Sequence, residues 1–244
     1  MTGLPAYSGT IPRLLAAAAE RDPDGTWLRT DAAAMSFAEA ARRVAGLVQV
    51  LRSAGIRRGD LVMTTARTTP PYLLCWLALA SLGAVTVPVN PRSAPAELAG
   101  LVRQVAPRAL ITDAGLAGLV DGAGVAGLPE LGVLDADALL AAAAVAGDGD
   151  GDQAGMPDVA RPGDVAALIP TSGTTGRSKL VMQTHRAYAM AGEGFPFWMQ
   201  LTAADRLMTS LPLFHINAPA YSVMGSLACG AGLVLLPRFS ASGF

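Results

Sequence analysis

The residues best suited to chemistry lie in one run, Thr171-Ser172-Gly173-Thr174-Thr175-Gly176-Arg177-Ser178-Lys179. Apolar runs flank it, Val165 to Ile169 before and Leu180 to Met182 after, so the sequence predicts a glycine- and hydroxyl-rich loop joining two strands. Glycine lets a backbone fold closely around an anion and aim its N–H groups inward, while the hydroxyls and the Lys179 ammonium add donors and charge. That donor set suits a polyphosphate. Spacing excludes a Walker A loop, which needs four residues between its first glycine and a Gly-Lys pair and then a helix. Here Lys179 follows Gly176 by three positions and a strand comes next. Lysine usage points the same way, because Lys179 is the only lysine among 18 basic residues. A compact, flexible ammonium therefore stands where a point charge on phosphate is useful. The competing reading of the run is a solvated hairpin turn.

A second group, Leu211-Pro212-Leu213-Phe214-His215-Ile216-Asn217-Ala218-Pro219, sets a ring, an imidazole and an amide at the end of an apolar run bounded by prolines. It reads as a strand running into a helix. A histidine beside a phenylalanine is more often a packed, hydrogen-bonded residue than a reactive one, so Phe214, His215 and Asn217 do not declare a function by themselves. His185 precedes Arg186-Ala187-Tyr188 and reads as the start of a helix. Trp76 and Trp198 read as core or subdomain contacts, and Glu193-Gly194-Phe195-Pro196 as a kink or turn. The sequence shows no paired carboxylates, nucleophile elbow or metal-ligand spacing.

The elements that must position these groups alternate. An apolar helix from Ile11 to Glu20 ends at the turn formers Asp22-Pro23-Asp24-Gly25. Ser36 stands three residues before Glu39, a capping-box spacing that opens a helix from Phe37 to about Ala54. A strand at Leu61 to Thr65, a helix at Pro70 to Leu82, a strand at Val85 to Val89, a helix at Pro95 to Ala106 and a strand at Ala109 to Thr112 follow. Strands separated by helices of this length imply a parallel sheet covered on both faces. A strand at Leu131 to Leu134, an alanine-rich helix near Ala136 to Ala146 and a loop from Gly147 to Gly155 lead to a second alternating region at Asp164. The pattern Leu79 to Pro88 repeats at Leu227 to Pro237 as helix, glycine turn, strand and proline. That echo suits two α/β subdomains built on one plan.

Composition sets the bounds. A chain of 244 residues, 52% of them apolar and 15% charged, can bury a sizeable core. A net charge of −1 with scattered basic residues excludes the footprint of a nucleic-acid binder. Cys75 and Cys229 lie in apolar surroundings without metal-ligand spacing and read as buried free thiols of a reducing compartment, with a disulfide as the lesser alternative. The segments Tyr72 to Val89 and Val223 to Leu236 are each interrupted by glycine near the middle and short for a spanning helix, so each reads as a buried helix followed by a buried strand, and Met1 to Ile11, with no basic patch before a hydrophobic core, reads as mature sequence. A cytoplasmic protein without an integral membrane segment is the expectation.

The loop at Thr171 to Lys179 resembles the phosphate-binding signature of the adenylate-forming superfamily, which includes acyl-CoA synthetases, aryl-acid ligases, luciferases and peptide-synthetase adenylation domains. The usual loop ends in Pro-Lys-Gly, whereas Ser178 and Leu180 flank Lys179 here. Phe37 to Asp60 and Gly83-Ala84-Val85-Thr86-Val87-Pro88-Val89-Asn90-Pro91 also resemble that family's N-terminal part, so the resemblance covers nearly the whole chain. It implies an α/β fold of two flavodoxin-like subdomains with mainly parallel sheets covered by helices. The first would occupy residues 1–160 and the second, incomplete, residues 161–244; the family's small C-terminal domain would be absent.

By the same resemblance, Thr171, Ser172, Gly173, Thr174, Thr175, Gly176 and Lys179 would hold the β- and γ-phosphates of ATP. His215 would line an acyl pocket and help gate it between half-reactions, with Phe214 and Asn217 in the wall. The implied cofactors are ATP and Mg²⁺, with coenzyme A as thiol co-substrate, a carboxylic acid as substrate, and no metal ligand among the singled-out residues. The family's later motifs do not occur in these residues, so the polypeptide alone would turn over slowly or not at all. A separate C-terminal half and a homo-oligomer are the partners this leaves room for. The rival readings are an aryl-acid adenylating fragment, a non-catalytic nucleotide-binding or regulatory remnant, and a partner-binding α/β domain.

Overall fold

The computed structural model describes residues 9–147, 160–171 and 178–238. In chain order the first elements are α1 (Ile11–Arg21), β1 (Thr26–Arg29), β2 (Ala34–Ser36), α2 (Phe37–Ser53), β3 (Leu61–Thr65) and α3 (Pro70–Leu82). Next come β4 (Val85–Pro88), α4 (Pro95–Val105), β5 (Ala109–Thr112), α5 (Ala117–Ala123), β6 (Val133–Asp135) and α6 (Ala136–Gly147). The last are β7 (Val165–Thr171), β8 (Lys179–Thr184), α7 (His185–Met199), β9 (Arg206–Thr209), α8 (Met224–Cys229) and β10 (Gly232–Leu235).

The strands form two sheets, one of order β6-β5-β3-β4-β7-β8 and one of order β2-β1-β10-β9. Pairing is parallel except for β1–β2 and β7–β8, which place an antiparallel strand at one edge of each sheet. Two α/β layers with mainly parallel sheets are therefore present, as the alternating sequence implies. Each sheet draws strands from both sides of residue 160: β7 and β8 extend the six-stranded sheet, and β1 and β2 join β10 and β9.

The period of two along each strand divides its side chains between two cores. Val62, Ala109 and Ile111 enter the larger core, which also holds Leu15, Val44, Leu74 and Leu233 and lies between the sheets. Met63, Val87 and Leu110 face the opposite way, onto Leu98, Leu101 and Val102 of α4 and Val120 of α5. Burial on both faces is what a parallel sheet requires, and it explains the near-continuous apolar character of β3 to β5. In the smaller sheet the row Leu28, Leu233, Leu207 is buried, whereas Met208 on the other face is 47% exposed.

Local signals end the elements where the sequence implies. Ser36 Oγ accepts the Glu39 N–H at 3.2 Å, forming half of the capping box. The Glu39 carboxylate turns instead to Arg43 at 2.6 Å. The internal echo is a real structural repeat of one step: Gly83 (φ 69°) caps α3 before β4, and Gly230 (φ 79°) caps α8 before β10. Both positions are left-handed, which glycine adopts without steric cost.

Away from the candidate site residues, several features depart from the sequence reading. The short strands β1 and β2 and the helix α5 within the Ala/Gly/Asp-rich stretch have no counterpart in the sequence reading. Of the kink or turn read at Glu193 to Pro196, the turn does not hold, because α7 runs through them with Pro196 in its final turn. Trp198 is not a core contact: it is 76% exposed, since α7 buries the side bearing Tyr188, Ala189, Gly192 and Pro196. Trp76, by contrast, is buried edge-on against Tyr188 with ring centroids 5.4 Å apart.

Cys75 and Cys229 are both free. Burial pushes the Cys75 thiol up to about 12, which leaves it protonated and inert. Among the described residues no helix is long and apolar enough to cross a membrane.

Candidate functional site

The two stems of the glycine-hydroxyl loop are β7 and β8, paired antiparallel with Thr171 opposite Lys179 and Pro170 opposite Leu180. The β4–β7 pairing registers Thr86 with Ala167 only. Beyond it stands Pro170, which has no N–H to offer a neighbouring strand and is tolerated where the ladder has ended. The hairpin thus continues past Pro88, the last residue of β4, and carries Thr171 and Lys179 out on the carboxyl side of the sheet. In open α/β sheets that is the side on which ligands bind.

Thr171 Oγ1 donates to the Lys179 carbonyl at 3.4 Å. One residue earlier, Gln104 Nε2 on α4 donates to the Ser178 carbonyl at 2.8 Å. Beneath the hairpin, Leu168 and Leu180 pack against the core formed with α4. Lys179 is exposed, and no carboxylate pairs with it among the described residues. Ser172, Gly173, Thr174, Thr175 and Gly176, the remaining candidates of this loop, lie outside the described residues.

Phe214 and His215 do not sit on a strand, whereas Asn217 does stand at the N-terminus of a helix. The strand is β9, which ends at Thr209, and residues 211–216 form a turn closed by the His215 N–H donating to the Pro212 carbonyl at 3.1 Å. A π-helix, Ala218–Val223, then leads into α8. Prolines at 212 and 219 explain the change, since each removes a backbone donor from the segment. Leu213 is the anchor: it is buried, and its N–H donates to Thr68 Oγ1 at 3.3 Å. With Leu213 held inward, Phe214 is half-buried and the His215 and Asn217 side chains are exposed. The Phe214 and His215 rings lie 4.3 Å apart, tilted by 43°.

Thr68 follows the carboxyl end of β3, two strands from β7, so the turn and the loop stems emerge on the same side of the six-stranded sheet. Between them and its far edge, the Asp113 carboxylate after β5 is buried and saturated. It pairs with Arg67 at 2.8 Å and accepts the Arg67 and Gly115 N–H groups at 2.7 and 2.9 Å. Asp113 therefore shapes this side of the sheet rather than offering a free acid. Among the described residues no hydrogen bond or ring contact joins His215 to Thr171 or Lys179, and no cluster of His, Cys, Asp and Glu could hold a metal ion.

His185 does start α7, as its sequence position implies, and it is fully buried. Its Nδ1 accepts the Ile11 N–H at 3.4 Å, which ties α7 to the first residue of α1. Gln104 and Thr68 escaped the sequence reading. Gln104 is one polar residue on the shoulder of an apolar helix face and Thr68 one hydroxyl after a strand, and only their distant partners, Ser178 and Leu213, give them significance.

The model of the AMP-binding enzyme family matches residues 15–243. The crotonobetaine/carnitine–CoA ligase of Salmonella arizonae is 30% identical over 219 residues, which are 86% of this chain and 42% of the relative. The 3-hydroxybenzoate–CoA/4-hydroxybenzoate–CoA ligase of Thauera aromatica is 32% identical over 191 residues, 77% of this chain and 36% of that one. The inhibitor-bound N-terminal domain of FACL13 from Mycobacterium tuberculosis superposes with a TM-score of 0.82 at 26% identity, covering 96% of this chain and 58% of that domain. The chain spans about 40% of the length of the curated relatives it matches.

Proposed function

This chain belongs to the AMP-binding enzyme family, and from that premise we propose that it supplies the ATP-phosphate site of an acyl-activating ligase. The observation that carries the proposal is Lys179: an exposed ammonium, unpaired with any described carboxylate, at the foot of a glycine-hydroxyl loop on the carboxyl side of a parallel sheet. Such a cation suits a polyanion. Thr171, Ser172, Gly173, Thr174, Thr175, Gly176 and Lys179 would hold the β- and γ-phosphates of ATP.

In the reaction a substrate carboxylate oxygen bonds to the α-phosphorus of ATP as the bond from that phosphorus to the bridging oxygen breaks. The products are acyl-AMP and pyrophosphate. A thiol then attacks the acyl carbonyl, AMP leaves with the bonding pair, and the thiol proton passes to solvent. The protein's share is positional and electrostatic: Lys179 and the loop donors hold the departing pyrophosphate in line and offset its growing charge. His215, with Phe214 and Asn217, would form and gate the wall of the acyl pocket from a turn fixed by Leu213. Both relatives' names give coenzyme A as acceptor, which makes it the proposed thiol here. Their acids differ, and the proposed substrate class is a carboxylic acid. Among the described residues no cluster of His, Cys, Asp and Glu could hold Mg²⁺.

Calorimetric titration of ATP into the parent chain and into Lys179→Ala tests the proposal. A charge-assisted contact of this kind contributes about 1.5–3 kcal/mol, so the variant should bind about ten- to a hundredfold more weakly. Equal affinity in the two proteins would overturn it.

A further inference from the structure

We propose that Gln104 is a positioning residue for Lys179, its side-chain amide fixing the peptide group from which the lysine projects. The inference rests on the reading of Lys179 as a phosphate ligand. Lys179 opens β8, an edge strand with β7 on one side and no described strand on the other. An edge strand of this kind is held by half the usual ladder, so the start of β8 needs support from elsewhere.

Three contacts supply it, and they differ in kind. The Thr171 Oγ1 bond to the Lys179 carbonyl, 3.4 Å, lies inside the hairpin and moves with it. Leu180 packs against the core that includes Leu98, Leu101 and Val102, which fixes the height of the hairpin over α4. Apolar contact is non-directional and does not set the rotation of a peptide. The Gln104 bond to the Ser178 carbonyl, 2.8 Å, is directional and comes from a separate rigid element 74 residues away. It alone among these contacts pins the Ser178–Lys179 peptide to the body of the domain. A lysine has a long flexible stem, so where its ammonium can reach depends on how firmly its backbone is held.

The surroundings allow this role to be separated from folding. Gln104 is half-buried, and beside the bond a surface cleft of about 350 Å³ opens among Ala96, Glu97, Gly100 and Arg103. Water can therefore reach the Ser178 carbonyl once the amide is removed, and no buried orphan acceptor results.

The test is a double-mutant cycle on ATP affinity, read by calorimetry, with the thermal midpoint measured alongside. Gln104→Met keeps length and neutrality and removes the donor; Gln104→Ala, a good helix former, replaces it should the methionine variant fail to fold. In the parent background the expected result is about fivefold weaker ATP binding with an unchanged thermal midpoint. In the Lys179→Ala background the same substitution should have no further effect, because the two act as a unit. Unchanged affinity of Gln104→Met, or an equal loss in both backgrounds, overturns the positioning role while leaving the phosphate site intact. If the parent binds no ATP, or Lys179→Ala binds as tightly as the parent, the phosphate site itself is refuted and this proposal with it.

Discussion

Replacing Trp27 with alanine is expected to lower the unfolding free energy by about 3–5 kcal/mol in a denaturant titration. Trp27 is fully buried and stacked on Phe37, ring centroids 6.3 Å apart. Its Nε1–H donates to Ser226 Oγ at 2.9 Å, and that hydroxyl donates in turn to the Val223 carbonyl at 2.8 Å. The indole thus fastens β1, near the chain start, to α8, some 199 residues later. Alanine would leave a large cavity between α2 and α8, which close packing around the site cannot fill. Trp27→Phe retains most of the apolar area and loses the N–H, so a smaller cost of about 1 kcal/mol reads the bond to Ser226. A Trp27→Ala cost below 1 kcal/mol would mean that β1 does not hold the smaller sheet to α8.

Acidification from pH 6.5 to 4 should remove about 3 kcal/mol of stability through one side chain, His185. Burial pulls its imidazole from 6.5 down to about 4, against an upward pull from Asp164. The folded state therefore keeps the ring neutral while the unfolded chain protonates it near 6.5. Its contribution is complete above that value and is lost as pH falls toward 4. The hydrogen bonding agrees: Nδ1 accepts the Ile11 N–H, so a proton there would set two donors face to face. Asp164 titrates in a separate window. Burial, the largest single influence on it, acts upward, but hydrogen bonds from Arg58 and Arg161 together with the Arg58 charge hold the carboxyl below 3.8. Its contribution is present above 3.8 and declines only below the His185 window. Chemical denaturation of the parent and of His185→Asn at pH 7, 5.5 and 4 checks the assignment. The parent should weaken across the series and the variant should stay nearly level; parallel slopes would remove His185 as the cause.

What the sequence discloses and what it hides follow from the range of the forces involved. The helix at Pro70–Leu82 and the strands at Leu61–Thr65 and Ala109–Thr112 are found at their expected bounds. Their signals are local: proline in the first turn, glycine at the end, and short apolar β-branched runs. The strands β1 and β2 are four and three residues long, and beyond its short pairing with β2, β1 is held in the sheet by β10, near the far end of the chain. No local window carries that pairing. The turn at Phe214 and His215 reads as a strand in sequence because its apolar run continues that of β9; the prolines that break it are visible there, but the anchor at Thr68 is not. The loop from Thr171 to Lys179 could be picked out by composition alone, while Gln104, which braces its foot, gains meaning only when α4 and β8 are seen together.

The most direct measurement of the central claim is a structure of the chain with a nonhydrolysable ATP analogue and magnesium. The terminal phosphates should lie about 2.7–3.2 Å from Lys179 Nζ and from backbone amides of the loop between Thr171 and Lys179. An analogue bound at another surface, with Lys179 still facing solvent, would contradict the assignment.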